Sequence, residues 1–298
     1  MMLKRTSIKY SFGLIVIFIC CFLFLLPKAD SKETIPFGFC PKYNPRVMYQ
    51  LYQPFMDYLN ETTPYTFEIK LSRVYEDTIE RLGNGEIVIA SCGPVSYIKA
   101  RERYGVRPIV RALSKDGKPY YQGIIIVRKD SPIQSLKDLK GKSFAFGQPW
   151  STASHILPEY HLLRENIRLK DLKHYSFLRH HDSVVNAVLK GEFDAGAVKD
   201  IVAYKYQKEG LRFIFSTDPI PTVPIVVRKD APAEMVQSVS AALLKLDPQN
   251  PTHPKKRVQW DEEFKYGFTE VSDSDYDSIR KVLKTMEKER GMKGPVRE

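Results

Sequence analysis

The segment Phe144-Ala145-Phe146-Gly147-Gln148-Pro149-Trp150-Ser151-Thr152-Ala153-Ser154-His155 joins an apolar strand to a Gly/Pro turn, a hydroxyl cluster and a helical pattern. The first turn of a helix has backbone N–H groups without intrahelical partners, and the macrodipole adds about half a positive charge there. The hydroxyls of Ser151 and Thr152 would add donors at the same spot, enough to cradle a phosphate-like oxyanion. The plainer reading of the same residues is a helix N-cap formed by Ser151.

Other residues carry chemistry more loosely. Asp200 ends the strand pattern Phe193–Val198 and would either accept a proton from a protonated ligand or cap the helix Ile201–Glu209. Cys92 with His181 has the composition of a nucleophile–base pair, the basis of a Cys/His hydrolase reading. No orienting third group or oxyanion loop stands near Cys92, so catalysis is not expected. Cys20 and Cys21 fall in the N-terminal leader, leaving Cys40 and Cys92, which form neither a disulfide framework nor a zinc pattern. These two would be either one bridge in an oxidising compartment or two buried thiols. No cofactor and no metal are expected.

Positioning such groups requires a core, and 298 residues with 43% apolar and 27% charged content suffice for one large or two ordinary domains. Lys4, Arg5 and Lys9 precede an apolar run from Phe12 to Leu26, closed by Pro27-Lys28-Ala29-Asp30. Residues 1–30 therefore read as a signal peptide or a retained N-terminal membrane anchor, and the rest as periplasmic or extracytoplasmic. The net charge of +11 comes partly from this leader. Basic residues elsewhere are scattered, Lys255-Lys256-Arg257 being the one run of three, so nucleic-acid binding is not expected.

Strand and helix patterns alternate through the remainder. Strand Ile35–Cys40, helix Arg46–Leu59, strand Tyr65–Leu71, helix Tyr75–Leu82 stopped at Gly83-Asn84-Gly85, strand Ile87–Ala90 and helix Val95–Tyr104 form a first set. A second set begins at Gly123–Val127, and such alternation predicts parallel sheets covered by helices. Strands Ile124–Val127 and Ile225–Val227 both end in Arg-Lys-Asp, and each follows a Pro-containing stretch. Matched crossings near 118–123 and 216–224 would bracket an inserted lobe: residues 31–119 with 219–298 in lobe 1, and 120–218 in lobe 2. The fold class is then α/β, two Rossmann-like lobes joined by two crossover segments, with a ligand cleft between them.

Several motifs resemble one family in order and spacing: Phe37-Gly38-Phe39-Cys40-Pro41, Tyr52-Gln53-Pro54-Phe55-Met56-Asp57-Tyr58-Leu59, Ile89-Ala90-Ser91-Cys92-Gly93-Pro94 and Asp130-Ser131-Pro132-Ile133. Leu136-Lys137-Asp138-Leu139-Lys140-Gly141-Lys142, Ser151-Thr152-Ala153-Ser154 and His181-Asp182 with Ala187-Val188 extend the match. The chain resembles the phosphate/phosphite/phosphonate-type substrate-binding proteins of ABC transporters over about residues 35–246. That resemblance implies a periplasmic binding protein of type II topology, a monomer that captures a small oxyanion and delivers it to an ABC permease. A ligand sensor working through a separate kinase would use the same fold.

The resemblance also implies ligand contacts. The family's Ser-Thr-Ser cradle falls on Ser151, Thr152 and Ala153, so the third hydroxyl is missing here, with Ser154 one place along. A family histidine falls on His181, where protonation would tighten anion binding. One first-lobe tyrosine falls on Tyr75, and a second is replaced by Cys92. The acid that pairs with a ligand amine falls near Val223, which argues against an amino-bearing ligand.

Overall fold

The computed structural model describes residues 32–246 and 259–291. The leader with its apolar run 12–26, and the basic run 255–257, lie outside these. Among the described residues, no helix is long and apolar enough to cross a membrane.

The chain begins with β1 (Thr34–Phe39) and α1 (Pro45–Thr62). Asn44 starts α1 by accepting the Val47 N–H at 3.1 Å, with Pro45 in the first turn where its missing N–H costs nothing. Met48, Tyr52, Phe55, Met56 and Leu59 then form one buried stripe. β2 (Thr66–Leu71) leads to α2 (Tyr75–Asn84), which stops at Gly85 with φ +90°, inside the Gly-Asn-Gly signal. β3 (Ile89–Ser91), α3 (Pro94–Tyr104) and β4 (Arg107–Ala112) follow.

A short crossing strand β5 (Tyr120–Tyr121) passes into β6 (Gly123–Arg128), β7 (Ser143–Phe146) and α4 (Leu157–Arg164). β8 (His174–Phe177), α5 (His181–Leu189), β9 (Ala195–Lys199), α6 (Asp200–Tyr206) and β10 (Leu211–Ser216) continue the second set. The return crossing β11 (Ile220–Pro221) pairs antiparallel with β5, Ile220 opposite Tyr121. The chain then adds β12 (Pro224–Val227), α7 (Ala233–Leu244), β13 (Phe268–Thr269) and α8 (Asp277–Arg290).

Two sheets result. The six-stranded sheet has the order β13-β4-β12-β3-β1-β2 and the five-stranded sheet the order β10-β6-β9-β7-β8. This is the expected α/β fold of two lobes joined by two crossings.

The expectation of parallel sheets is met by some strand pairs and not by others. β1 is parallel to β2 and β3, and β7 to β8 and β9, but β12 is antiparallel to β3 and β4, and β6 to β9 and β10. The reason lies in the crossings. Each βα unit ends its strand at the cleft, whereas β6 and β12 enter their sheets from the crossings on the cleft side and so run the other way. Both close on the repeated tripeptide, where Arg128 pairs with Asp130 and Arg228 with Asp230, each at 2.9 Å from Nε.

Aromatic packing fixes the first lobe. Phe37, Phe39, Tyr52, Phe55 and Phe264 are essentially solvent-free, and Phe55 lies 4.8 Å from Phe264 and 5.3 Å from Trp260, ring centroid to centroid. Burial of each such ring contributes about 1.5–3 kcal/mol. The stretch carrying Trp260 and Phe264 is thereby fixed to α1 and β1.

Candidate functional site

The hydroxyl turn follows β7 and enters α4 through a wide π-helical turn, Thr152–Ile156. Such turns are rare and recur at functional sites. Ser151 accepts the Ser154 N–H at 3.3 Å, so it is the cap that its position suggested. The turn approaches β7 closely: the Gly147 N–H donates to the Ser154 carbonyl at 2.9 Å. A Cβ on Gly147 would lie 1.9 Å from Ser154 Oγ, so only glycine fits there.

Around this turn lies a cavity of about 40 Å³ between the two sheets, lined by Tyr75, Tyr121, Ser151, Thr152, Ala153 and His181, together with Lys42, Lys199, Val223 and Glu263. One water needs about 10–15 Å³ of such space, so the cavity holds a group a few atoms across. The first lobe aims two helix N-termini at it. The Val95 N–H at the start of α3 donates to Thr152 Oγ1 at 3.0 Å, and the Tyr75 N–H at the start of α2 donates to Gln148 Oε1 at 2.9 Å. Neither helix has a side-chain cap of its own. The N–H groups an anion would use are thus turned across the cleft.

The phenols complete a polar wall. Tyr75 lines the cavity with Ser151 and Tyr121 with Thr152, and burial pushes both hydroxyls up from the ordinary tyrosine value, so both stay neutral and able to donate. His181 starts α5, with its N–H on the Lys42 carbonyl at 3.1 Å. Its Nδ1 accepts the Lys199 N–H at 3.1 Å, leaving Nε2 as the donor. Burial, with Lys42 and Lys199 adding to it, drives its pKa down to about 3. The imidazole is therefore neutral in this cleft, and the tighter binding expected on its protonation is moved far into the acid range.

Five of the expected residues thus meet at the cavity: Tyr75, Ser151, Thr152, Ala153 and His181. Three sit behind or beside it. Ser154 is fully buried and donates its hydroxyl to Ser151 Oγ at 2.8 Å, fixing the cradle from the rear. Cys92 is fully buried behind the wall, where the neighbouring Cys40 and burial hold its thiol pKa well above the ordinary value. Both cysteines are free thiols. Asp200 accepts the Gln122 N–H at 3.0 Å and the Ile201 N–H at 2.7 Å, which ties the crossing to α6.

Sequence reasoning missed Lys42, Asp261 and Glu263, and read Lys199 as a solvated lysine. Lys42 lies 2.5 Å from Asp261 and 3.2 Å from Glu263, and Glu263 also pairs with Lys199. All four are nearly solvent-free, with side-chain exposures of 6% for Lys42, 2% for Asp261, 9% for Glu263 and 8% for Lys199. Burial opposes the charge on Lys42, but Asp261 and Glu263 keep it well above the ordinary lysine value. Burial also opposes the carboxylate of Glu263, yet Lys199 and Lys42 outweigh it and hold that acid down to about 2. No local pattern joins residue 42 to residues 261 and 263; the aromatic packing of Trp260 and Phe264 brings them together. Among the described residues, no cluster suited to a metal ion occurs.

Behind the cradle, His155 contacts the Pro149 carbonyl at 2.6 Å through Nδ1 and Glu159 at 2.8 Å through Nε2. Arg290, at the end of α8, pairs with Glu159. The back of the hydroxyl turn is thereby tied to the C-terminal helix.

Comparison with known proteins agrees with this architecture. The family pattern "ABC transporter, phosphonate, periplasmic substrate-binding protein" matches residues 37–276. The phosphonates-binding periplasmic protein of Escherichia coli is 25% identical over 214 residues, covering 67% of this chain and 62% of that relative, so the match spans under two thirds of its length. The phosphate-import protein PhnD of Mycolicibacterium smegmatis is 25% identical over 272 residues, covering 84% of this chain and 85% of that one. The fold superposes on the binding protein component of an ABC phosphonate transporter from Pseudomonas aeruginosa with a TM-score of 0.78 at 21% identity, covering 88% and 89% of the two chains. It also superposes on PhnD1 from Prochlorococcus marinus in complex with methylphosphonate, with a TM-score of 0.76 at 20% identity, covering 86% and 99%. The two lobes, the crossings and the matched family pattern lead to one assignment: this chain belongs to the phosphonate-type periplasmic substrate-binding proteins of ABC transporters.

Proposed function

We propose that the cleft captures a small phosphorus oxyanion, namely phosphate, phosphite or an alkylphosphonate, and delivers it to the permease of an ABC importer. The observation that carries this reading is the convergence of Ser151, Thr152, Tyr75, Tyr121 and two uncapped helix N-termini on one cavity of about 40 Å³. An oxyanion removed from water needs several such donors, because a buried charge without hydrogen bonds is prohibitively costly. Ser151, Thr152, the backbone of 152–154, Tyr75 and the Nε2 of His181 are the direct contacts, and Ser154 supports them from behind. Asp200 and Cys92 take no direct part.

Residues 31–119 with 219–298 form one lobe and residues 120–218 the other, closing over the ligand as a monomer. The apolar run 12–26 directs export and, if retained, anchors the protein at the membrane. The protein binds and releases its ligand unchanged, since Cys92 is fully buried outside the cavity lining and the Nδ1 of His181 is taken by the Lys199 N–H. Val223 puts an apolar wall where an amine partner was sought. An amine-free ligand fits this arrangement best.

A thermal-shift panel of phosphate, phosphite, methylphosphonate, aminoethylphosphonate and sulfate tests the assignment. Ligand at 100 times its Kd stabilises by about 2.7 kcal/mol, a readily measured shift. One or two amine-free phosphorus oxyanions are expected to raise the melting temperature. A panel with no shift, or with a shift for sulfate alone, would overturn the reading.

A further inference from the structure

The cleft already holds an anion of its own. Trp260 and Phe264 fix their stretch of chain to the first-lobe core, and Asp261, between them, takes Lys42 at 2.5 Å and accepts the Glu263 N–H at 3.0 Å. From that fixed base the Glu263 side chain enters the cavity. One carboxylate oxygen lies 3.2 Å from Lys42, which follows β1, and the other pairs with Lys199 at the end of β9 in the opposite lobe. Lys199 is further held over the Tyr121 ring, 4.0 Å from its centroid.

Two ammonium groups from two lobes clasping one carboxylate form the same arrangement that would clasp a bound oxyanion. Lys42 and Lys199 are matched by Asp261 and Glu263, one acid for each lysine. Asp261 is built into the backbone of its turn. Glu263 reaches its lysines through rotatable bonds alone, so it can yield them.

We infer that Glu263 is a resident anion that competes with the ligand for Lys42 and Lys199 and so sets how tightly an oxyanion binds. This inference rests on the oxyanion reading above. When the ligand enters, the carboxylate gives up Lys199, and the cross-lobe ion pair is replaced by a cross-lobe ligand contact. A unit negative charge a few ångströms from a bound anion costs at least a factor of ten in affinity at the effective dielectric of such sites.

Isothermal titration of full-length wild type and Glu263→Gln with methylphosphonate tests the inference. The amide keeps the shape and removes the charge, so E263Q is expected to bind roughly tenfold tighter or more. The double variant E263Q with Lys199→Met, which restores one acid for each lysine, is expected to lose that gain. If E263Q fails to fold, Glu263→Asp, which draws the carboxylate back from Lys199, is expected to bind tighter by a smaller factor. Unchanged or weaker binding by the folded Glu263 variant, beside a wild type that binds, would overturn the inference and leave the oxyanion reading intact. Absence of binding to any phosphorus oxyanion by wild type and variant alike would overturn both.

Discussion

The hydroxyl of Thr152 accepts the backbone N–H of Val95 across the cleft at 3.0 Å, which joins the hydroxyl turn of one lobe to a helix N-terminus of the other. Two groups suited to an anion thus satisfy one another. An oxyanion placed between them would take donors from both and would relieve the helix terminus more fully than one neutral hydroxyl can.

Thr152→Val keeps the side-chain shape and deletes this hydroxyl. A hydrogen bond to a charged group contributes about 1.5–3 kcal/mol, so the affinity for the bound oxyanion is expected to fall by roughly 10- to 100-fold. Isothermal titration checks this, with thermal melting to show that the fold persists.

Gly147→Ala tests how the cradle is built. The added Cβ would sit 1.9 Å from Ser154 Oγ and 2.8 Å from Ser154 Cβ, so the turn must shift. Such overpacking costs about 1–3 kcal/mol. A lower melting temperature is expected together with weakened ligand binding, because Ser154 holds Ser151 at 2.8 Å.

The cradle was legible because its signal is local. Strand, glycine, proline, Ser-Thr and helix follow one another within residues 144–155, and each has one physical role. Helix ends were readable for the same reason, as Gly85 with φ +90° and Gly105 with φ +70° illustrate. The antiparallel entry of β6 and β12 was not legible, since strand direction depends on where a crossing arrives rather than on residue pattern. Nor was β4, whose sequence Arg-Pro-Ile-Val-Arg-Ala has no clean alternation. Lys42 and Glu263 were invisible as a pair because only tertiary packing of Trp260 and Phe264 unites them. His181 lines the cavity, but its neutral state was not legible, because burial and two neighbouring lysines decide that.

Stability should depend on acid in two windows. The pKa of His181 falls from 6.5 to about 3 on folding, so the unfolded chain binds the extra proton between these values. Its contribution is full above about pH 6.5 and is lost as the pH falls toward 3. Glu263, lowered from 4.5 to about 2, contributes fully above about pH 4.5 and loses that contribution toward pH 2. Denaturant melts of wild type and His181→Asn between pH 7 and 4 are expected to show a shallower acid loss in the variant. Parallel curves would contradict the neutral histidine.

Arg290→Ala should expose the importance of the buried ion pair behind the cradle. Burial penalises the carboxylate of Glu159, which the hydrogen bonds of His155 and Arg290 keep ionised, below the ordinary value. Removing one partner of a buried pair typically costs about 3–5 kcal/mol, which melting curves would reveal as a large drop. Glu159→Gln combined with R290A is expected to recover part of that loss.

The central claim is that Ser151 and Thr152 hold a phosphorus oxyanion between the lobes. Isothermal titration with methylphosphonate of wild type and of Ser151→Ala/Thr152→Val tests it most directly. Saturable binding by the wild type, weakened at least roughly 100-fold in a double variant that still melts cooperatively, is the predicted result. Equal affinity in the two proteins would contradict the account.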